Sequence, residues 1–298
     1  MTMVKKTENS ISRRQFIGKM TFATAGAALI SSCTTSSRWE TGCFTRPWAD
    51  YDYRVAFDGI AEAGFKFAGL MNYENGMLIT PDTDPERAAV MGEEAISRGL
   101  AIASAYGRNF DVNNSIDEGI VGLQRLIDNL AACNCQHLVL GGISSPELVD
   151  AYYKVIAECC DYAADKGVFM SIKPHGGTNA TGPECRMHIE KVGHRNFGLW
   201  YDPGNIYYYS EGELDPVDDA SEVDGLVIGM SVKDFLMPRE VNLTPGTGMV
   251  DFPGVFTLLK QGGFSRGPLI VECLTMGDLA FINAEAKKAR QFLDELTS

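Results

Sequence analysis

Short apolar runs of β type alternate with longer amphipathic segments from about residue 40 to the C-terminus. In the amphipathic segments, apolar residues recur every three or four positions, as is typical of helices that bury one face. We predict eight strands, at 40–44, 67–71, 101–106, 137–141, 168–173, 198–201, 227–232 and 269–273. We predict eight helices between and after them, at 51–63, 84–98, 115–132, 146–166, 181–192, 215–222, 251–261 and 279–296.

The strict alternation of strand and helix predicts a parallel sheet with right-handed connections. Eight such units can close into a (β/α)8 TIM barrel with no exposed sheet edge, so we predict a single α/β domain over residues 39–298. An open doubly wound sheet is the competing arrangement. It would need a glycine-rich phosphate-binding turn after the first strand, and Thr41-Gly42-Cys43-Phe44 does not supply one.

Residues 1–33 have the pattern of a targeting signal and are left out of the predicted fold. The segment 12–17, SRRQFI, resembles a twin-arginine export signal, and the apolar run 20–30 that follows it is too short to span a bilayer. The run ends in Leu29-Ile30-Ser31-Ser32 before Cys33, which resembles a bacterial lipobox. We therefore expect an exported protein, periplasmic or anchored to a membrane by a lipid on Cys33, with residues 34–38 as a tether.

Composition narrows the choice of partner. The formal net charge is −13, and an acidic surface does not favour a nucleic-acid partner, because phosphate binding requires a basic surface. A neutral or weakly charged small molecule fits better, and contact with a membrane is expected only through the N-terminal lipid. Seven cysteines besides Cys33 are scattered over predicted helices and strands, so we predict that most are small core residues.

Polar side chains concentrate where the predicted strands end. In a barrel the carboxyl ends of all strands open onto one mouth, where substrates bind. Polar groups that converge there from several strands therefore predict a small-molecule pocket. The candidate residues are Tyr106, Lys173, His175, Asp202, Asn205, Lys233, Asp234 and Glu272.

These segments resemble the xylose isomerase-like TIM barrels, a superfamily that includes sugar isomerases, the sugar phosphate isomerase/epimerase family and inosose dehydratases. The resemblance covers about residues 40 to 295 and is strongest in the last third of the chain. It is carried there by the sequences SVKD at 231–234, PGTGMVDF at 245–252 and GPLIVE at 267–272. It implies a barrel enzyme that acts on a sugar or a sugar derivative.

The resemblance also implies a divalent metal held by a Glu, an Asp, a His and a final Glu. Asp202 and Glu272 match two of those positions, but Lys173 stands at the first Glu and Ser231 at the His. Asn205 likewise replaces a His of the family pattern. A protonated lysine cannot coordinate a hard cation. We therefore hypothesise that the Lys173 ammonium lies near Asp202 and Glu272 and replaces the metal.

An alternative keeps a metal. His175, Asp202 and Glu272 together would form an acceptable ligand set for Mn²⁺, Mg²⁺ or Zn²⁺. A third chemistry is a Schiff base at Lys173 or Lys233, since a desolvated lysine can act as a nucleophile. No other residue pattern marks aldolase chemistry.

The sequence thus predicts an isomerase or epimerase that removes a proton beside a carbonyl, with a lyase acting on oxidised sugars as a variant. In this hypothesis Lys173 is the electrophile and Glu272 the acid/base, while His175 and Asp202 orient the substrate. Lys233 contacts an oxyanion or hydroxyl, and Asn205, Asp234 and Tyr106 complete the binding site. The alternative from another class is a sugar-binding lipoprotein without catalytic activity.

Two further sets of residues concern packing as much as function. The aromatic residues Trp200, Tyr201 and Tyr207-Tyr208-Tyr209 form either a sugar-stacking wall or ordinary core. His188 is predicted to lie on the surface.

Overall fold

The apolar runs form neighbouring strands in a computed structural model of the protein, which describes residues 38–73, 76–107 and 110–298. The predicted signal 1–33 with Cys33, and tether residues 34–37, lie outside the described residues. The strands are β1 (Trp39–Phe44), β2 (Phe67–Leu70), β3 (Asn72–Tyr73), β4 (Gly76–Met77), β5 (Ala101–Gly107), β6 (His137–Leu140), β7 (Phe169–Ile172), β8 (Phe197–Tyr201), β9 (Val227–Val232) and β10 (Gly267–Val271).

Eight of these strands pair in parallel and close on themselves. Their order is β1-β10-β9-β8-β7-β6-β5-β2, and β1 contacts both β10 and β2, with Cys43 opposite Val271 on one side and Ala68 on the other. Helices alternate with the strands around the outside. The predicted single-domain (β/α)8 TIM barrel is therefore confirmed.

The helices begin and end where the sequence supplies caps. At most of their first turns a side-chain oxygen accepts a backbone N–H, and Thr181 forms a reciprocal capping box with Glu184. Gly64 and Gly99 follow helix ends with φ of 92° and 73°, a region that suits glycine because it has no Cβ. The helices are α1 (Tyr53–Glu62), α2 (Pro85–Ser97), α3 (Ile116–Ala132), α4 (Val149–Asp165), α5 (Gly182–Val192), α6 (Pro203–Tyr209), α7 (Pro216–Ala220), α8 (Phe252–Gln261) and α9 (Leu279–Thr297).

Two short elements at the barrel mouth differ from the prediction. The strands β3 and β4 form a small antiparallel hairpin after β2. Helix α6 follows β8 directly, and the Asp202 side chain caps it by accepting the backbone N–H of Asn205 at 2.9 Å. The dipeptide Pro203-Gly204 is common in turns. Proline is equally suited to the first position of a helix.

Side chains fill the inside of the barrel. Trp200 is fully buried there and packs edge-on against Phe44. A second, larger core lies between the strands and the surrounding helices. Trp200 and Tyr201 therefore belong to the interior, as the core alternative for these residues requires, and the barrel has a solid floor beneath its mouth.

Among the remaining residues, one prediction is wrong. His188 is buried and stacks on Tyr153 with 4.1 Å between ring centroids. Its Nε2 lies 2.8 Å from the Thr178 carbonyl oxygen, and this hydrogen bond offsets part of the cost of burying the ring. The seven cysteines of the described residues are free and buried, as predicted. Within the described residues, no helix is both long and apolar enough to cross a membrane.

Candidate active site

Four charged residues lie immediately after consecutive barrel strands. Lys173 follows β7, Asp202 follows β8, Lys233 follows β9 and Glu272 follows β10. Because neighbouring parallel strands end at the same rim, these side chains meet over the barrel floor. All four residues are buried.

Lys173 lies at the centre of this group. Its Nζ is 2.8 Å from Asp202 Oδ2 and 2.7 Å from Glu272 Oε2. Burial by itself would lower the pKa of Lys173, but the two carboxylates outweigh this effect and raise its pKa. The side chain is therefore a fixed ammonium ion. A neutral amine, which a Schiff base would require, is strongly disfavoured.

Glu272 accepts hydrogen bonds at both of its oxygens. Oε2 receives Lys173 Nζ and Ser231 Oγ, each at 2.7 Å. Oε1 receives Arg46 Nη1 at 2.9 Å and Lys233 Nζ at 3.1 Å. Burial would raise the pKa of Glu272, yet the three cations hold it well below its usual range. This carboxylate is a weak base, and its lone pairs are already engaged.

Two consecutive hydrogen bonds, which begin at the barrel floor, fix the position of the Glu272 carboxylate. The Trp200 indole N–H donates to Ser231 Oγ at 3.0 Å, and the same hydroxyl donates to Glu272. Ser231, which stands at the position of a metal-binding His in the family pattern, thus orients the carboxylate.

Asn205 and Lys233 extend the network towards α6. Lys233 Nζ donates to Asn205 Oδ1 at 2.8 Å, and Asn205 Nδ2 donates to the Pro174 carbonyl oxygen at 2.6 Å. The loop after β7 and the start of α6 are therefore held together beside the ion pairs.

His175 and Tyr106 form a neutral pair at the mouth. Tyr106 Oη and His175 Nε2 are 3.2 Å apart. The His175 ring reaches solvent, but the groups crowding it remove part of its hydration, and this desolvation, with the charge of Lys173, lowers its pKa to about 4. Burial raises the pKa of Tyr106 to about 12. Both side chains are uncharged at neutral pH.

Asp234, predicted to bind substrate, has a different place. Its fully buried carboxylate accepts four backbone N–H groups, from Phe235, Gly246, Gly248 and Val250, at 2.8 to 3.2 Å. Four backbone donors satisfy both oxygens and hold the loop after β9. The side chain does not line the cavity.

A cavity of about 280 Å³ opens above Lys173. Six of the eight predicted site residues line it, and Asp202 lies beneath it in contact with Lys173. The prediction missed Arg46, although this residue also follows a barrel strand, and it left Tyr208 and Tyr209 undecided. The lining consists of Arg46, Met71, Asn72, Tyr106, Lys173, His175, Asn205, Tyr208, Tyr209, Lys233, Val241 and Glu272.

The residues present do not fit a divalent metal. The Lys173 ammonium occupies the space between the two carboxylates, and His175 Nε2 faces Tyr106 instead of joining them. No cluster of three or more His, Cys, Asp or Glu in the described parts of the chain is arranged to hold a metal ion. The alternative ligand set of His175, Asp202 and Glu272 is therefore not assembled.

The closed parallel barrel, with charged side chains at the carboxyl ends of its strands, places the protein among the TIM barrels. The family model "Xylose isomerase-like TIM barrel" matches residues 57–296, so the chain belongs to this family. Among similar proteins is an inosose dehydratase of Klebsiella pneumoniae (strain 342), 27% identical over 252 residues, with 71% of this chain and 82% of that protein covered. An inosose dehydratase of Glaesserella parasuis is 25% identical over 247 residues, with the same coverage.

Solved structures of similar fold include D-allulose 3-epimerase from Methylomonas sp. in complex with D-allulose. Its TM-score is 0.68 at 19% identity, covering 87% of this chain and 97% of that one. A xylose isomerase domain protein from Planctomyces limnophilus has a TM-score of 0.66 at 18% identity, covering 87% and 97%. These likenesses establish the fold.

Proposed function

We propose that this protein is an enzyme that removes a proton beside the carbonyl group of a sugar derivative, using Lys173 as a built-in cation. The observation that carries the proposal is the position of Lys173 Nζ, 2.8 and 2.7 Å from two buried carboxylates and directly under an open cavity. The names of the similar proteins, epimerases and dehydratases, support sugar chemistry of this kind.

In this mechanism Lys173 is the electrophile. An ammonium ion has three protons; one is donated to Glu272, and a second direction is taken by Asp202 Oδ2, which lies 2.8 Å from the same nitrogen. The third is available to a substrate carbonyl oxygen. When the neighbouring C–H bond breaks, its electron pair forms the enolate and the negative charge on oxygen is stabilised by this N–H.

The base in this mechanism is His175. The sequence favoured Glu272 as the acid/base, but that carboxylate already accepts four hydrogen bonds and its pKa is lowered. The His175 imidazole is neutral, and in the tautomer protonated at Nδ1 its Nε2 can take a proton. Delivery of a proton from water to the other face of the carbon gives an epimer, and the imidazolium then releases its own proton to solvent. Transfer of the imidazolium proton to a β-hydroxyl, which leaves as water, gives an elimination product and restores the neutral imidazole.

Proton exchange in deuterated water tests the proposal. The protein is treated with EDTA and incubated with ketoses, inososes and uronates, and ¹H NMR follows the C–H next to each carbonyl. We expect exchange that EDTA does not abolish. Lys173→Met should slow it by about 100-fold or more, as removal of an oxyanion donor does, while the exposed Lys66→Met should not.

Two results would overturn the proposal. Binding of a sugar with no exchange of any substrate proton would identify the protein as a sugar-binding module. Exchange that appears only on addition of Mn²⁺, Mg²⁺ or Zn²⁺ would restore metal chemistry.

We also propose that the chain is exported by its N-terminal signal and lipidated at Cys33. Expression in a bacterium with membrane fractionation and labelled palmitate checks this. Replacement of Arg13 and Arg14 by Lys should block export, and Cys33→Ser should remove the label.

A further inference from the structure

The charges around the cavity do not cancel. Lys173, Lys233 and Arg46 contribute three positive charges, whereas Asp202 and Glu272 contribute two negative ones. His175 and Tyr106 are neutral near pH 7, for the reasons given above. The site therefore carries one positive charge in excess.

This excess lies on one side of the cavity. Lys173 is balanced by Asp202, which lies beneath the cavity. Arg46 and Lys233, in contrast, both donate to one atom, Glu272 Oε1, at 2.9 and 3.1 Å. Two cations that share one carboxylate oxygen lie close together and repel each other in an environment of reduced dielectric constant. An anion between them would relieve this repulsion.

The same two residues also have donors to spare. Both side chains line the cavity, and Arg46 is 27% exposed while Lys233 is 7% exposed. Within the described residues Glu272 is the one acceptor recorded for the Arg46 side chain, through Nη1. Its other guanidinium N–H groups are thus available to a ligand.

Another part of the cavity lining is aromatic. Tyr106 and Tyr209 flank the His175 ring, with centroids 5.8 and 5.6 Å away. Such rings contact the C–H face of a sugar. A ligand with a charged end and a carbohydrate body would place each part against a matching wall.

Resting on the function proposed above, we propose that the substrate is an acidic monosaccharide whose carboxylate binds to Arg46 and Lys233. A carboxylate carries a single negative charge, which balances the excess. A phosphate monoester carries about −1.5 to −2 at pH 7 and would leave the site negative. The planar guanidinium fork also matches a carboxylate in two-point hydrogen bonding. A cavity of about 280 Å³ suits one sugar unit.

Equilibrium binding tests this assignment without any turnover. Calorimetric titrations at physiological salt compare D-glucuronate and D-gluconate with D-glucose and D-glucose 6-phosphate. We expect the two carboxylates to bind roughly tenfold or more tightly than either comparison ligand. Arg46→Gln should remove most of this preference, and Arg46→Lys should keep part of it. The exposed Arg195→Gln is the matched control and should behave as the wild type.

Each other outcome rejects the assignment. Equal affinity for glucose and glucuronate, an unchanged preference in folded Arg46→Gln, or tighter binding of the phosphate would overturn it. Failure here is distinguishable from failure of the proposed reaction. Proton exchange in neutral ketoses with no preference for uronates rejects the carboxylate alone, whereas tight uronate binding without exchange rejects the reaction alone.

Discussion

Lys173 and Glu272 are 99 positions apart in the chain, yet Nζ and Oε2 lie 2.7 Å apart in the barrel mouth. Ion pairs as deeply buried as this one stabilise a fold only while both partners are present, because each ion has lost its hydration. The pair therefore links the chemistry of the site to the stability of the barrel.

Replacement of Lys173 should destabilise the barrel. We expect Lys173→Met to lower the free energy of unfolding by about 3–5 kcal/mol, because Asp202 and Glu272 then remain buried with less compensation. The double variant Lys173→Met/Asp202→Asn should recover part of the loss. Denaturation in urea measures both, with Lys66→Met as a control expected within about 0.5 kcal/mol of wild type. A fully stable single variant would show that the ion pairs do not contribute.

The imidazole of His175 should titrate far below an ordinary histidine. NMR of its ring protons should give a pKa near 4, because of desolvation and the nearby Lys173 charge. Removing that charge in Lys173→Met should raise the pKa, and a bound uronate should raise it too. His194, which is outside the site, serves as the reference in the same spectra. A pKa near 6.5 for His175 would contradict the described environment.

Asp219 predicts a pH dependence of stability. Burial raises the pKa of its carboxyl to about 6, with the Gly182 backbone N–H opposing this effect. Between about pH 4 and 6 the folded state keeps a proton that the unfolded state has lost, so this group's contribution to stability falls as pH rises through that window. Asp219→Asn should therefore raise the melting temperature more at pH 8 than at pH 4.5. An equal change at both pH values would contradict the shift.

Asp234 is expected to control the loop after β9. Asp234→Ala leaves four backbone N–H groups without their acceptor and should destabilise the protein by about 2–4 kcal/mol. Hydrogen exchange of the Gly246 and Gly248 amides should become faster, whereas that of strand β6 should change only with global stability. If the loop amides remain as protected as in the wild type, Asp234 is not their anchor.

The barrel itself was predictable because its signals are local. Apolar runs, helical periodicity and glycines such as Gly64 at helix ends each depend on residues that are neighbours in sequence. The same logic placed Lys173, Asp202 and Glu272 on one rim, because strand ends meet there in any parallel barrel.

What the sequence could not supply was the direction of each side chain. Lys233 and Asp234 are adjacent, but one faces the cavity and the other faces the backbone of its own loop. Arg46 was missed because the chain turns directly into a short 3-10 helix after β1, and that turn carries the guanidinium to Glu272. His188 is buried because its ring is hydrogen-bonded to the Thr178 carbonyl oxygen and stacks on Tyr153. No local sequence pattern indicates these contacts.

The positive charge between Asp202 and Glu272 is covalently part of the polypeptide. Unlike a bound metal ion, this ammonium group cannot dissociate. Every folded chain therefore carries it, at any dilution and in the presence of any chelator. An ammonium ion also offers its protons in only three directions, and two are fixed by the barrel. In the proposed mechanism a substrate oxygen comes to the remaining one, so the strand ends that hold Lys173 would also determine the orientation in which a substrate reacts.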